Sequence, residues 1–153
     1  MEILVDADAC PVKDETYKVA LRYQVPVLIV ANQRLRIPQH DLIVQLTVGD
    51  GFDEADDVIA ERANDRKIVI TGDILLADRC LKAGAAVIAP NGEPFSLDSI
   101  GAAIAARAIM ADLRAGAGGE GAPIGGPAPF TKKDRSRFLS ALDEAVTKAK
   151  RRR

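Results

Sequence analysis

The sequence predicts an α/β domain built on a mostly parallel sheet that helices flank on both faces. Short apolar runs alternate along the chain with longer segments in which apolar residues recur at helical spacing. Repeated β–α units of this size are typical of layered parallel sheets. The 153 residues allow one sizeable core, and that core must be aliphatic because aromatic residues make up 4% of the chain and Trp is absent.

Five apolar runs predict the strands. The run VPVLIVA at 25–31 is apolar on both faces, as parallel strands buried between two helix layers are. The other four runs are also short and rich in Val, Ile, Leu or Ala. In chain order, the predicted strands are residues 3–5, 25–31, 42–48, 67–71 and 85–89.

Five segments with helical spacing predict the helices. Pro11 lies just before the first helix, and Gly84 ends the third. The fourth is long and rich in Ala. Thr131 and Asp134 have the spacing of an N-terminal capping pair for the fifth. In chain order, the predicted helices are residues 13–23, 53–64, 74–84, 96–115 and 131 to about 150.

Composition divides the chain into three parts. The stretch GAGGEGAPIGGPAP at 116–129 contains six of the 12 glycines and three of the eight prolines. Such a composition is typical of a linker or a mobile loop. We therefore predict an α/β domain over residues 1–115, a Gly/Pro-rich linker or loop over 116–130, and a basic C-terminal helix over 131–153 that forms a helical arm.

Charge is distributed unevenly between these parts. The net charge of the chain is −1, but residues 131–153 contain nine Lys or Arg against three acids, a net of +6, which leaves −7 on residues 1–130. An acidic body with a basic C-terminal segment indicates a site that collects cations and an arm that could reach phosphates. A solvated tail is the alternative explanation.

The same composition bears on location. No apolar run approaches the roughly 20 residues of a membrane helix, and the N-terminus does not have the pattern of a signal peptide. We expect a cytoplasmic protein with no membrane partner and with Cys10 and Cys80 as reduced thiols. The sequence leaves a homo-oligomer open.

Acidic residues follow three of the predicted strands. Asp6 and Asp8 follow ILV, the segment GDGFDEADD follows the third strand, and Asp73 follows KIVIT. Functional groups gather outside the carboxyl ends of parallel strands, so these acids are expected at one edge of the sheet. Asp53 and Asp73 have a simpler explanation as helix N-caps, but Asp6 and Asp8 lack that spacing.

These acids predict a site for a hard divalent cation. Asp53, Asp56 and Asp57 stand at i, i+3 and i+4, so a helix would present them on one face. Converging carboxylates suit Mg²⁺ or Mn²⁺, whereas one His and two separated Cys argue against a zinc site. A cation held there can activate water for phosphodiester cleavage. A metal also explains why two like charges, Asp6 and Asp8, follow a buried strand so closely.

Basic residues offer candidate contacts to a phosphate backbone, the main determinant of nucleic-acid binding that does not depend on sequence. Each is individually compatible with ordinary solvated surface charge. The candidate nucleic-acid-binding residues are Lys13, Arg34, Arg36, Lys132, Lys133 and Arg135.

Four segments together resemble one family. They are VDADACPVK, GDGFDEADDVIA, ITGDILLADRCL and GPAPFTKKDRSRFLSALD. Their combination and order resemble the uncharacterised bacterial YaiI/YqxD family, which is placed in the PIN-like nuclease superfamily. The resemblance covers nearly the whole chain. It implies a three-layer, PIN-like α/β domain and a metal-dependent nuclease that cleaves RNA or DNA.

The resemblance also implies roles for single residues. Asp6 matches the acid at the end of the first strand, Asp56 or Asp53 the mid-chain acid, and Asp73 the acid after a later strand. Thr71 occupies the Ser/Thr position two residues before Asp73. The expected catalytic set is Asp6, Asp8, Asp56, Asp73 and Thr71, and the expected metal ligands are Asp6, Asp8, Asp53, Asp56, Asp73 and Asp78. Leu75 departs from the flap-type relatives, which often carry a second acid there.

Two other functions fit parts of the sequence. The opening ILVDADAC is similar to that of a haloacid-dehalogenase-type phosphatase, with Asp6 as nucleophile and Asp8 as general acid. That class requires its Thr or Ser before the acidic pair, and here Asp56 and Asp57 precede Thr71. A non-catalytic module that binds nucleic acid or protein through the basic C-terminal helix is the second alternative.

Overall fold

The structure is a computed structural model that describes residues 1–8, 10–51, 53–116 and 130–152. It confirms the α/β class with a mostly parallel sheet. The elements in chain order are β1 (Glu2–Asp6), α1 (Lys13–Tyr23), β2 (Val27–Ala31), β3 (Ile43–Thr47), α2 (Glu54–Arg62), β4 (Lys67–Ile70), α3 (Ile74–Lys82), β5 (Ala86–Ile88), β6 (Pro94–Phe95), α4 (Leu97–Gly116) and α5 (Lys132–Arg151).

The six strands form one sheet in the order β3-β2-β1-β4-β5-β6. All neighbouring pairs are parallel except β5 and β6, and the two-residue strand β6 was not predicted from the sequence. The chain moves outwards from β1 through β2 to β3, then returns to add β4 on the other side of β1. The reversal creates a switch point between β1 and β4, where open α/β sheets carry their crevices.

Helices α1 and α5 cover one face of the sheet. Residues Ile3, Val5, Ile29 and Ile70 point to this side of the core. Helix α5 adds Phe138, Leu142 and Val146, all fully buried. The predicted capping pair is present at the start of α5, since Thr131 and Asp134 form a reciprocal capping box. The basic C-terminal helix is therefore part of the core layer as well as a carrier of exposed charge.

Helices α2, α3 and α4 cover the opposite face. Their contributions to this second core include Ile59, Leu76 and Ile100, which pack with Leu4 and Val69 of the central strands. Aliphatic side chains dominate both cores, as the composition requires. The predicted linker at 116–130 lies almost wholly outside the described residues. Within the described part of the chain, no helix is long and apolar enough to cross a bilayer.

Candidate functional site

The switch point between β1 and β4 is where acidic residues meet. Asp6 is the last residue of β1, and Thr71 and Asp73 directly follow β4. β1 and β4 are hydrogen-bonded neighbours, with Val5 in register with Ile70. Two of the three acidic segments predicted from the sequence are therefore adjacent at the carboxyl edge of the sheet, because their strands are adjacent.

Thr71 connects the two acids. Its hydroxyl Oγ1 donates to Oδ2 of Asp6 at 2.9 Å and accepts the backbone N–H of Asp73 at 3.0 Å. Thr71 is one of two buried polar residues among the described residues, with 1% of its surface exposed. A hydroxyl that is buried and satisfied on both sides fixes its neighbours. Thr71 therefore orients the Asp6 carboxylate.

Asp73 caps helix α3 as well as lying at the site. Its Oδ1 accepts the backbone N–H groups of Leu75 and Leu76 at 2.9 and 3.2 Å. The structural explanation that the sequence allowed for Asp73 is thus correct. Both described capping bonds use Oδ1, and the charge of the Asp73 carboxylate raises the pKa values of Asp6 and Asp56.

Asp8 approaches from the turn after β1. Both of its carboxylate oxygens accept the backbone N–H of Asn32, at 3.1 and 3.2 Å. Asn32 directly follows β2, the neighbour of β1 on the other side from β4. The contact holds the exposed Asp8 carboxylate above the ends of β1 and β2, and this is the position that brings it beside the acids of α2.

Helix α2 does not present its acids as the sequence predicted. The helix begins at Glu54, and Asp53 precedes it with a left-handed φ of 65° and no side-chain capping bond. Asp57 points away and forms a 2.9 Å ion pair with Arg79 of α3. The prediction that all three acids share one helix face is therefore wrong at Asp57, because Asp53 and Asp56 line the cleft together whereas Asp57 pairs with Arg79.

A small acidic cleft of about 160 Å³ lies between Asp6, Asp8 and the start of α2. Five of the side chains that line it are carboxylates, and among the described residues no Lys or Arg lines it. Glycines allow the chain to pass close to the acids on one wall. The lining residues are Asp6, Asp8, Asn32, Gly49, Gly51, Asp53, Glu54, Ala55 and Asp56. The cleft therefore concentrates negative charge that its own lining does not balance.

The crowding of acids changes their ionisation. Burial, the largest cause, and the charges of Asp73, Asp6 and Asp53 together raise the pKa of Asp56 from 3.8 to about 6. Burial is also the main cause of the raised pKa of Asp6, with smaller contributions from Asp73 and Asp8 against the lowering effect of the Thr71 hydrogen bond. Asp6 and Asp56 therefore resist ionisation, mainly because they are partly buried and also because acids lie beside them, and a bound cation relieves this condition.

The donor set fits a hard divalent cation, since every charged group in the cleft is a carboxylate. As the side chains stand, no group of three or more His, Cys, Asp or Glu in the described residues is gathered closely enough to surround one ion. Asp53 and Glu54 are exposed, whereas the Asn32 N–H holds Asp8. The cleft residues therefore suit a divalent cation, because their donor atoms are carboxylate oxygens and their negative charges repel one another.

The other predicted site residues lie outside the cleft lining, and Thr71 and Asp73 are among them although they contact or lie near Asp6. Asp78, a predicted metal ligand, forms a 2.9 Å ion pair with Lys82 one turn further along α3. Arg34 and Arg36 are exposed in the segment after β2. Lys132 and Lys133 are exposed at the start of α5.

Two predicted nucleic-acid contacts are engaged within the protein. The Lys13 ammonium donates to the carbonyl of Cys10 at 2.9 Å. The Arg135 guanidinium donates to the carbonyl of Pro11 at 2.7 Å and to Glu15 at 3.0 Å. Both therefore contact the segment just after β1 rather than presenting a free charge to solvent.

The sequence analysis did not identify Asn32 and Glu54 as site residues. Asn32 acts through its backbone N–H, which every residue except proline possesses, so no side-chain pattern marks it. Glu54 is part of the quoted GFDEADD segment and lines the cleft beside Asp53. Its position directly after a helix-start aspartate was the available signal.

A larger groove of about 1270 Å³ lies at the opposite edge of the sheet, among the first residues of β4 and β5 and the second half of α5. Its lining mixes charges of both signs, such as Asp65, Arg66, Glu144 and Lys148. We assign the functional site to the smaller cleft because convergent groups of one charge, with raised pKa values, are found there.

Fold and site together define a doubly wound α/β protein with an acidic cleft outside the carboxyl ends of β1, β2 and β3. A family model described as "Uncharacterized BCR, YaiI/YqxD family" matches residues 4–148. The chain belongs to this family, as the sequence motifs predicted.

Relatives from several bacteria match over nearly their full lengths, and each carries the name UPF0178 protein. The protein of Sphingopyxis alaskensis is 66% identical over 149 residues, covering 97% of this chain and 95% of the relative. A protein of Rhodopseudomonas palustris is 56% identical over 151 residues, with 99% and 93% covered. One of Jannaschia is 54% identical over 148 residues, with 97% and 94% covered. No solved structure matches the chain.

Proposed function

We propose that the protein is a Mg²⁺- or Mn²⁺-dependent nuclease that hydrolyses phosphodiester bonds in RNA or DNA. The observation that carries the proposal is the acidic cleft, where five carboxylates converge with no Lys or Arg in its lining among the described residues. Burial and neighbouring negative charge raise the pKa values of Asp6 and Asp56, so the metal-free site is electrostatically unfavourable. Divalent cations offer the compensating charge, and oxygen donors are the ligands they prefer.

Each acid has a distinct part in holding the cation. Asp6 is oriented by Thr71, and Asp8 by the Asn32 N–H. Asp53 and Asp56 enter from the start of α2, and Asp73, which lies outside the cleft lining, acts on Asp6 and Asp56 through its charge. When bound, the cation would activate water and neutralise charge on a phosphodiester. No protein nucleophile is then required.

The nucleic-acid substrate is supported by exposed positive charge at the same edge of the sheet. Arg34 and Arg36 follow β2 just beyond Asn32, which itself lines the cleft. Lys132 and Lys133 precede Arg135, whose guanidinium reaches the turn after β1. Cations around an acidic centre attract a polyanionic backbone while the centre itself binds metal. The likeness to PIN-like nucleases points to the same substrate class.

The test combines metal binding with cleavage. Mn²⁺ titration by calorimetry would compare the wild type with Asp6→Asn/Asp73→Asn. Asn at position 73 retains an oxygen acceptor for the α3 cap, since Asn is among the preferred N-cap residues, so the fold is expected to persist. Asp57→Asn is the control. It makes the same chemical change at an acid of α2 that pairs with Arg79 outside the cleft.

We expect the wild type and the control to bind Mn²⁺ and to cleave fluorescent single-stranded RNA or DNA. The double variant should lose binding and at least 100-fold in cleavage rate while its circular-dichroism spectrum is unchanged. Wild-type protein that binds no Mn²⁺, alone or with a short oligonucleotide, would contradict the proposal and favour the binding-module alternative. Mn²⁺-dependent hydrolysis of phosphomonoesters alone would favour the phosphatase.

A further inference from the structure

The turn that carries Asp8 is held by two basic side chains from outside it. We define the Asp8 turn as Ala7, Asp8, Cys10 and Pro11, the described residues between β1 and Val12. The Lys13 ammonium donates to the carbonyl of Cys10 at 2.9 Å and lies 3.4 Å from that of Ala7. These carbonyls stand on either side of Asp8 in the chain, so one cation ties both ends of the turn together.

The second contact comes from the C-terminal helix. Arg135 of α5 donates to the carbonyl of Pro11 at 2.7 Å and pairs with Glu15 of α1 at 3.0 Å. Its guanidinium also stacks over the Phe130 ring, 5.1 Å from the ring centre. Three simultaneous contacts leave this side chain little freedom, so it is a rigid support for the end of the turn.

Backbone hydrogen bonds anchor one end of the turn, since the Ala7 N–H donates to the Val30 carbonyl of β2 at 3.0 Å. The bond from Cys10 N–H to the Ala7 carbonyl is long, at 3.4 Å. Val12 stands at the N-cap of α1 and provides no side-chain capping bond. Hydrogen bonds from charged donors are roughly twice as strong as neutral ones. Lys13 and Arg135 therefore provide the charged support for the Cys10–Pro11 end of the Asp8 turn.

We propose that Lys13 and Arg135 are positioning residues that fix the Asp8 carboxylate against the Asn32 N–H and thereby keep it at the acidic cleft. Through Arg135, the C-terminal helix contributes to a site whose described lining contains no α5 residue. The effect on metal binding rests on the proposed function. The effect on the Asp8–Asn32 contact does not.

The test uses Lys13→Met, with Lys18→Met as the matched control because Lys18 is exposed on the same helix. Hydrogen exchange of the Asn32 amide reports the Asp8 contact without any metal. The amide of Ile29, inside β2, reports global unfolding. We expect Asn32 exchange to accelerate about tenfold in Lys13→Met with Ile29 unchanged, and neither to change in Lys18→Met. Arg135→Gln is a second variant with the same expected direction.

Calorimetry with Mn²⁺ is the second measurement. We expect Lys13→Met to weaken Mn²⁺ binding about tenfold, as loss of a group that supports a ligand does. Unchanged Asn32 exchange in both variants, or equal acceleration at Asn32 and Ile29, would overturn the inference. If the wild type binds no Mn²⁺, the proposed function fails, and Asn32 exchange still decides the role of Lys13. A lower salt dependence of oligonucleotide binding with unchanged exchange would make Lys13 a phosphate contact instead.

Discussion

Removing the charge of Asp56 should stabilise the metal-free protein at neutral pH. Asp56 lies half-buried in the first turn of α2, where burial and the charges of Asp73, Asp6 and Asp53 raise its pKa from 3.8 to about 6. A rise of this size corresponds to about 3 kcal/mol between the protonated and ionised forms. Solvent screens a half-buried group, so we expect Asp56→Asn to increase the free energy of unfolding by about 1–2 kcal/mol.

The effect has a defined pH dependence. At low pH, Asp56 is protonated in both the folded and the unfolded chain, and its repulsion costs nothing. Between pH 3.8 and about 6 the unfolded chain releases this proton more readily than the folded one, so stability falls as pH rises. Above about pH 6, Asp56 is ionised in the folded protein as well, and its full destabilising effect on the fold is present. The stability gain of Asp56→Asn should therefore be near zero at pH 4 and reach its maximum above pH 7.

Urea unfolding followed by circular dichroism, in EDTA at pH 4 and pH 7.5, measures this difference. Asp57→Asn makes the same chemical change at the next residue but breaks an exposed pair with Arg79, and it should not stabilise the protein at either pH. If Asp56→Asn gave the same change at both pH values, or none at pH 7.5, the assignment of Asp56 to a repulsive acidic cleft would be refuted.

Three further predictions follow from the site and the core. Mn²⁺ at 100 times its dissociation constant should raise the wild-type free energy of unfolding by about 2.7 kcal/mol. This gain should disappear in Asp6→Asn/Asp73→Asn, and thermal melts with and without metal measure it. Gly92→Ala should destabilise the fold by about 2 kcal/mol or more in urea titrations, since Gly92 has φ of 90° and a Cβ there would lie 2.5 Å from the Arg137 carbonyl carbon. Phe138→Ala should cost about 3–5 kcal/mol because Phe138 is fully buried, and a loss below 1 kcal/mol would contradict the placement of α5 in the core.

The sequence determined the elements and the edge at which the acids gather. Buried parallel strands have a compositional pattern that depends only on local order, and the strands after Met1, Pro26 and Arg66 appear where the apolar runs predict them. The capping box of Thr131 and Asp134 could also be predicted from the sequence, because both partners lie within one helical turn. The carboxyl ends of parallel strands share an edge, so the convergence of Asp6 and Asp73 also followed from order alone.

Tertiary structure decided which groups face the cleft and what the basic residues do. Asp56 lines the cleft and Asp57 does not, since successive helical residues differ by about 100° in direction. Asp57 instead pairs with Arg79, which is within reach only because α3 packs beside α2. Lys13 and Arg135 resemble any surface cation in the sequence, yet the turn after β1 offers them carbonyls. Contacts between residues more than 100 positions apart, such as Arg135 with Glu15, depend on how α5 packs against α1, and no local pattern encodes that packing.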